Sequence, residues 1–259
     1  MRSAAVMTMR HPIFAFLALE EHPYARAMLR QLLVTGFSPS CIIEEESDIA
    51  VEEREKFSER ISPHPVAPPI ATQAERYGIP TCRVAKHDNS TLMKLLASDE
   101  LDLIVLGGTR IIRGPILSHP KHGVLNCHPG LLPDCRGSAS PAWSVYHDIR
   151  VGATAHFCDE GIDTGDVLLR RELPVQRGMN YSDLCYGTLM LSASLMSEAL
   201  QAFSEERWPE MRQAQGESDW PTFKNAPPQV LEVVHRKLAE QSYAHYVDEA
   251  GGSSEESTA

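Results

Sequence analysis

Gly123-Val-Leu-Asn-Cys-His-Pro-Gly-Leu-Leu-Pro-Asp-Cys-Arg-Gly137 and Gly152-Ala-Thr-Ala-His-Phe-Cys-Asp-Glu-Gly-Ile-Asp-Thr-Gly-Asp166 are the two stretches that decide the fold. The first opens as a short apolar strand, Gly123 to Leu125, ending at Asn126. His128 follows two positions later, and Pro129, Gly130 and Asp134 then halt the extended chain. Residues two apart on a strand point the same way, so Asn126 and His128 share one face at a strand's C-terminal end. Cys127 faces the other way, into the core. In open α/β sheets ligands bind at that end. Val151 to Cys158 alternates enough to form another strand. It empties into Asp159 to Asp166, where glycines permit close backbone approach.

Working outward, Pro12 to Leu19 is a continuous apolar run, as a buried parallel strand requires. Pro23 opens a helix carrying Ala27, Met28, Leu32 and Leu33 on one face and stopping near Gly36. Cys41 to Ile43 is the next strand, completing a β-α-β start. Ser47 to Ile61 reads as an exposed, charged helix and His64 to Pro69 as a loop. Ala71 to Tyr77 and Ser90 to Ala97 read as helices. Pro80 to Val84, Leu101 to Leu106 and Val167 to Val175 read as strands, and Tyr181 to Phe203 as a long packed helix. The expected fold is therefore α/β: a Rossmann-like, mostly parallel twisted sheet with helices on both faces, plus a small C-terminal appendage. Residues 1–204 make the main domain and 205–248 the appendage, with a last helix from Pro227 or Pro228 to Leu238. The glycine, serine and acid tail 249–259 is expected to be disordered. No G-x-G-x-x-G follows the first strand, so a dinucleotide site has no support.

The formal charge of −11 argues against a nucleic-acid partner gripped through its phosphates. No apolar run approaches the roughly 20 residues that span a bilayer, and the apolar start is broken by Glu20 and Glu21 without a cleavage site. Six scattered cysteines without a C-x-x-C pair read as reduced thiols, and the expected location is cytoplasmic. A metal at His119, His122 and His128 is rejected, because the three straddle a turn and a strand.

Asn-x-His-Pro, Leu-Leu-Pro-x-x-Arg-Gly, His156 and Gly-Ile-Asp-Thr-Gly-Asp, in that order, resemble the folate-dependent formyltransferases. That family includes glycinamide ribonucleotide, methionyl-tRNA and sugar-nucleotide N-formyltransferases. The likeness runs from about Leu103 to Val175. It implies an N-formyltransferase that uses 10-formyltetrahydrofolate as co-substrate and no metal. Transfer of a formyl group to an amine passes through a tetrahedral intermediate bearing an oxyanion. It needs donors for that oxygen and a route for the amine proton to the leaving nitrogen. Asn126 supplies an amide donor, His128 a donor or a base according to its protonation, and Asp163 a carboxylate to assist proton transfer. By resemblance these three match the family's catalytic Asn-His-Asp set. Taken singly, an Asn at a strand end, a His before Pro and an Asp in a Gly-rich turn are ordinary turn residues. His156 fits either the substrate neighbourhood or a buried histidine bonded to backbone. Arg136 and Asp166 are expected to hold the two motif loops together.

The resemblance also implies that the folate lies against Leu106, Gly108, Arg110, Ile111 and Ile112 on one side. Cys158, Asp159, Glu160 and Gly161 flank it on the other. A flat heterocycle with alternating donors and acceptors is read well by free backbone groups at glycine-rich strand ends. The acceptor is expected to be a small-molecule amine near Glu20, His22 and His156. Two carboxylates, Glu20 and Glu21, stand where glycinamide ribonucleotide enzymes place a phosphate loop, which argues against that substrate. Given the acidic stretch after Phe203, a tRNA-binding barrel is not expected there, nor is a regulatory domain of the hydrolase type expected before the core. An amino sugar nucleotide is the expected acceptor. An amino acid or other amine, water (a formyltetrahydrofolate hydrolase), or an inactive folate-binding protein are the alternatives. The Trp208 to Phe223 segment fits either a homodimer surface or a cover over the acceptor site.

Overall fold

The computed structural model describes residues 10–96 and 100–247. The expected disordered tail 249–259, and Ala97 at the end of a predicted helix, lie outside the described residues. The chain runs β1 (Phe14–Leu19), α1 (Pro23–Val34), β2 (Cys41–Glu45), α2 (Asp48–Ile61), α3 (Ile70–Tyr77), β3 (Thr81–Val84), α4 (Asn89–Leu96) and β4 (Leu103–Leu106). A 3₁₀ turn at Pro115–Ser118 leads to β5 (Val124–His128), α5 (Ser140–Tyr146), β6 (Gly152–Phe157), β7 (Val167–Glu172), α6 (Tyr181–Ser204), α7 (Trp208–Met211) and α8 (Pro228–Ala239).

All seven strands join one sheet in the order β3-β2-β1-β4-β5-β6-β7. The first five are parallel, because a helix or long crossover returns the chain each time. β6 runs antiparallel to β5, and β7 antiparallel to β6. This is the mostly parallel, Rossmann-like sheet that the alternating pattern predicts. Period-2 alternation divides the strand residues between two cores. Phe14, Phe16, Leu103, Val105, Leu125 and Cys127 pack under α1, α3 and α6, whereas Ala15, Leu17, Ile104, Leu106 and Val124 pack under α4 and the 3₁₀ turn. Helices therefore cover both faces. On the α4 face the pattern continues along β5 and β6 as Asn126, His128, Thr154 and His156, so polar residues replace apolar ones where α4 no longer covers the sheet.

Local chemistry fixes the helix starts. Pro23 opens α1 while His22 Nδ1 accepts the Tyr24 N–H. Ser47 caps α2, and Asn180 with Asp183 forms a reciprocal capping box on α6. Four readings need correction. β5 does not end at Asn126 but continues to His128, because the ladder with β6 extends to the His128–Thr154 pair. β2 extends past the apolar run to Glu45, and Glu44 and Glu45 are both buried. α2 is not simply exposed, since Phe57 and Arg60 line a cleft described below. α5 has no counterpart in the sequence reading. The segment after Ser204 lies against the sheet domain: Lys237 Nζ donates to the Val145 carbonyl (3.0 Å), and Tyr243 Oη to the Ile149 carbonyl (2.7 Å). Among the described residues no helix is long and apolar enough to cross a membrane.

Candidate active site

A cleft of about 1040 Å³ opens at the C-terminal ends of β1, β2, β4 and β5. Its floor holds Asn126, His128, His156 and Asp163. Asn126 and His156 are directly opposed across the antiparallel β5–β6 pair, with Asn126 Nδ2 3.2 Å from His156 Nε2. Asp163 reaches them from the loop after β6. It adopts a left-handed backbone (φ 54°), which Asp tolerates better than most residues. The Gly137 N–H donates to Asp163 Oδ2 at 2.9 Å.

The two histidines share one construction. His128 Nε2 donates to the Cys135 carbonyl (2.6 Å), with Ser140 Oγ at 2.9 Å, which leaves Nδ1 facing Asp163 Oδ2 at 3.3 Å. His156 Nδ1 donates to the Phe157 carbonyl (2.9 Å), which leaves Nε2 facing Asp163 Oδ1 at 3.5 Å. A carbonyl only accepts, so each ring has one N–H committed to backbone. The second nitrogen of each, when it gains a proton, gains it beside the same carboxylate. Burial pulls His128 below the ordinary imidazole value, against the attraction of Asp163. Burial also pushes the Asp163 carboxyl up, but His128, His156 and the Gly137 N–H more than reverse this and hold it well below the usual carboxylate range. Asp163 is thus an ionised carboxylate facing a nitrogen of each histidine, and burial favours the neutral form of the His128 imidazole beside it. His128 and His156 are 3% and 1% exposed. Asn126 and Asp163 are only partly buried, and both line the cleft.

Leu106, Gly108, Arg110, Ile111, Ile112, Cys158, Asp159 and Gly161 all line the same cleft. Arg110 is anchored from below: its Nη2 lies 2.7 Å from Oε1 of the fully buried Glu45, which also accepts from Ser47 Oγ and the His87 N–H. Cys127 is buried as expected, its thiol pushed up to about 12 by burial. His22 lines the cleft. Two predicted residues do not. Glu160 turns outward to accept the Gly114 N–H, and Glu20 turns away to Arg54 (3.3 Å) and Arg83 (3.0 Å). Glu21 instead caps α3, accepting the Ile70 and Ala71 N–H groups. Neither carboxylate presents its charge to the cleft, so the repulsion expected of the Glu20-Glu21 pair is absent there. Arg136 and Asp166, expected to hold the two motif loops together, bond not to each other but to Gln215 and Arg212 of the segment after α7.

Sequence reading missed Phe57 and Arg60 of α2, Lys86, Lys224 and Asn225 in the outer walls, whereas Thr222 and Phe223 belong to the segment expected to be either a cover or a dimer surface. Arg60, Lys86 and Lys224 form no ion pair with a carboxylate among the described residues. The aromatic run Trp220-Pro-Thr-Phe223 was the available signal. Phe223 stacks on Trp143 of α5 at 4.9 Å and thereby fixes this wall. Among the described residues no group of three His, Cys, Asp or Glu side chains converges as a metal site.

An open, mainly parallel α/β sheet with a cleft at its strand ends, polar at its floor, defines a Rossmann-like domain. Residues 44–200, more than half of the chain, match the family model for formyl transferase, and the chain belongs to that family. It is 34% identical over 146 residues to the methionyl-tRNA formyltransferase of Syntrophus aciditrophicus, covering 56% of this chain and 47% of that one. The chain spans about half the length of the curated relatives it matches. The fold is shared with glycinamide ribonucleotide transformylase 1 from Symbiobacterium toebii (TM-score 0.58, 23% identity, 76% of this chain and 90% of that one). It is also shared with a formyltransferase from Anoxybacillus kamchatkensis solved with UDP-4,6-dideoxy-4-formamido-L-AltNAc and tetrahydrofolate (TM-score 0.51, 17% identity, 82% and 86%).

Proposed function

We propose that this protein is a cytoplasmic N-formyltransferase that moves a formyl group from 10-formyltetrahydrofolate to the primary amine of a small molecule. The carrying observation is the convergence of His128 Nδ1 and His156 Nε2 on the two oxygens of Asp163. Beside them Asn126 presents an amide to the cleft. In this reading Asn126 donates to the oxygen that becomes negative as the amine adds to the formyl carbon. His128, backed by Asp163, takes the proton that the amine sheds and returns it toward the leaving nitrogen. His156 holds Asn126 and Asp163 in register.

The folate fits the wall made by Leu106, Gly108, Arg110, Ile111 and Ile112, with Cys158, Asp159 and Gly161 opposite. Gly108 (φ 83°) brings backbone close to any flat ligand there. When bound, the folate supplies the formyl group. The acceptor reading is an amino sugar nucleotide. It is supported by three cations that line the cleft without carboxylate partners among the described residues (Arg60, Lys86 and Lys224), in a wall that also carries the aromatic rings of Phe57 and Phe223. A second reading, formylation of an aminoacyl-tRNA, is favoured by the 34% identity to a methionyl-tRNA formyltransferase, and opposed by the formal charge of −11.

The test is to follow loss of the formyl group with nucleotide-linked amino sugars, free amino acids, methionyl-tRNA, or no acceptor. Amine-dependent turnover abolished in Asn126→Ala supports the reading, and the active amine names the class. Equal loss without any amine would make the protein a hydrolase. Folate binding without turnover would overturn catalysis.

A further inference from the structure

Gln215 lies outside every helix and strand, and beyond the residues that match the family model. Its neighbours Arg212, Gln213, Ala214, Gly216 and Glu217 are exposed, whereas Gln215 itself is turned inward. Its Nε2 donates to the Asp163 carbonyl (2.9 Å) and to the Gly165 carbonyl (2.7 Å). Its Oε1 accepts from Arg136 Nη2 (3.0 Å) and Nε (3.3 Å). A primary amide offers two N–H donors and two lone pairs, so this side chain is fully used.

These bonds close a ring. Arg136 grips Gln215, Gln215 grips the Asp163 carbonyl, and Gly137, the residue after Arg136, donates its N–H to the Asp163 carboxylate. Asp163 is thereby held at both ends. Its left-handed backbone keeps its carbonyl out of the strand ladders, so that carbonyl needs a partner from elsewhere. The flanking chain is stitched to the same two loops. Arg212 Nε donates to Asp166 Oδ2 (2.6 Å), and Gln213 and Val167 exchange two backbone bonds of 2.8 Å. Phe223 bonds the Arg136 carbonyl and the Ser138 N–H. A purely structural tie could join the loops at any point; this one ends on the backbone of the residue whose carboxylate receives both histidines.

We propose that Gln215, clamped by Arg136, is a positioning residue that holds the Asp163 carboxylate between His128 and His156. The proposal rests on the formyl-transfer reading given above. Gln215→Ala removes the clamp. Gln215→Glu keeps an acceptor for Arg136 but turns a carboxylate on two carbonyl oxygens. In steady-state assays with 10-formyltetrahydrofolate and the amine that proves active, both variants are expected to lose about 10- to 100-fold in kcat. KM for the folate should stay within about threefold, since no ligand contact is removed. A second readout does not depend on turnover: ¹³C-labelled histidine titrations by NMR on the wild type and on Gln215→Ala. Freed from the nearby carboxylate, His128 should titrate at lower pH in the variant, by about half a unit or more. A wild type that turns over no amine would overturn the formyl-transfer reading, while the titrations still decide the clamp. Unchanged titrations, or a kcat loss that merely follows a fall in Tm, would overturn the positioning role.

Discussion

Replacing Asp163 by Asn removes one negative charge and almost nothing else. Asn suits the left-handed backbone at φ 54° as Asp does, and its amide oxygen can still accept the Gly137 N–H. What disappears is the charge 3.3 Å from His128 Nδ1 and 3.5 Å from His156 Nε2. At an effective dielectric near 20, a unit pair at that separation attracts by roughly 5 kcal/mol before solvation is counted. After the cost of burial, carboxylates of this kind move a partner's titration by about 1–3 units. Proton uptake by His128 then becomes harder by roughly 1.4–4 kcal/mol. If that uptake accompanies the rate-limiting step, kcat falls by about 10- to 1000-fold. The assay is initial rate of formyl loss at pH 7 with saturating folate and amine, beside a thermal melt. The melt should stay within about 4 °C of the wild type, the equivalent of roughly 1 kcal/mol in a chain of this size. A variant that works within about threefold of the wild type would refute the role of the charge. So would a rate loss fully accounted for by unfolding.

Gly137→Ala is expected to destabilise by about 2–4 kcal/mol, because φ is 96° and an added Cβ would collide with the Phe223 carbonyl. Gly178→Ala, at φ 90° but facing open space, should cost only about 1 kcal/mol, and denaturant midpoints of the two variants compare strain alone with strain plus collision. His22 is lowered to about 4 by burial, then by Arg60 and Arg54, so the unfolded chain takes up a proton near pH 6.5 that the folded chain resists. Stability should therefore fall as pH drops from about 6.5 to 4, by about 3 kcal/mol, and level off below that. His22→Asn, which keeps a cap for the Tyr24 N–H, should flatten this slope in urea titrations run at each pH. Arg60→Gln should raise KM about tenfold for a phosphate-bearing acceptor and leave KM for an uncharged amine unchanged, the size expected for one charged hydrogen bond; equal effects on both would remove the anionic acceptor from consideration.

Much of the site was legible because it is built from local rules. Strand alternation places Asn126 and His128 on one face and Cys127 on the other, and Gly161 and Gly165 mark the Asp163 loop as a tight turn. The pairing of His156 with Asn126 was not legible. It depends on β6 running antiparallel to β5 in one register, and nothing in either strand's own sequence states its partner's direction. Glu20 and Glu21 show the converse error. Read alone, two adjacent carboxylates repel phosphate; folded, they are taken up by Arg54, Arg83 and the start of α3. No helix is expected directly after Gly137, and α5 exists because Pro141 opens a turn whose buried Ala142 and Val145 face the core that also receives α8.

The strands and helices themselves, and the identity of the polar residues at the strand ends, follow from hydrophobic period and turn chemistry, which are properties of neighbours in the chain; the direction and register in which β6 joins β5 do not. The closure of the cleft is different. Phe57 and Arg60 from α2, Thr222 to Asn225 from the far segment, and Gln215 beneath Asp163 come from parts of the chain with no periodic tie to the motif. Their placement comes from packing against a finished sheet: Phe223 is seated by Trp143, and Gln215 by two carbonyls whose other hydrogen-bonding options the turn has removed. Such contacts carry no signature in local sequence because they are satisfied only after the two loops have come together.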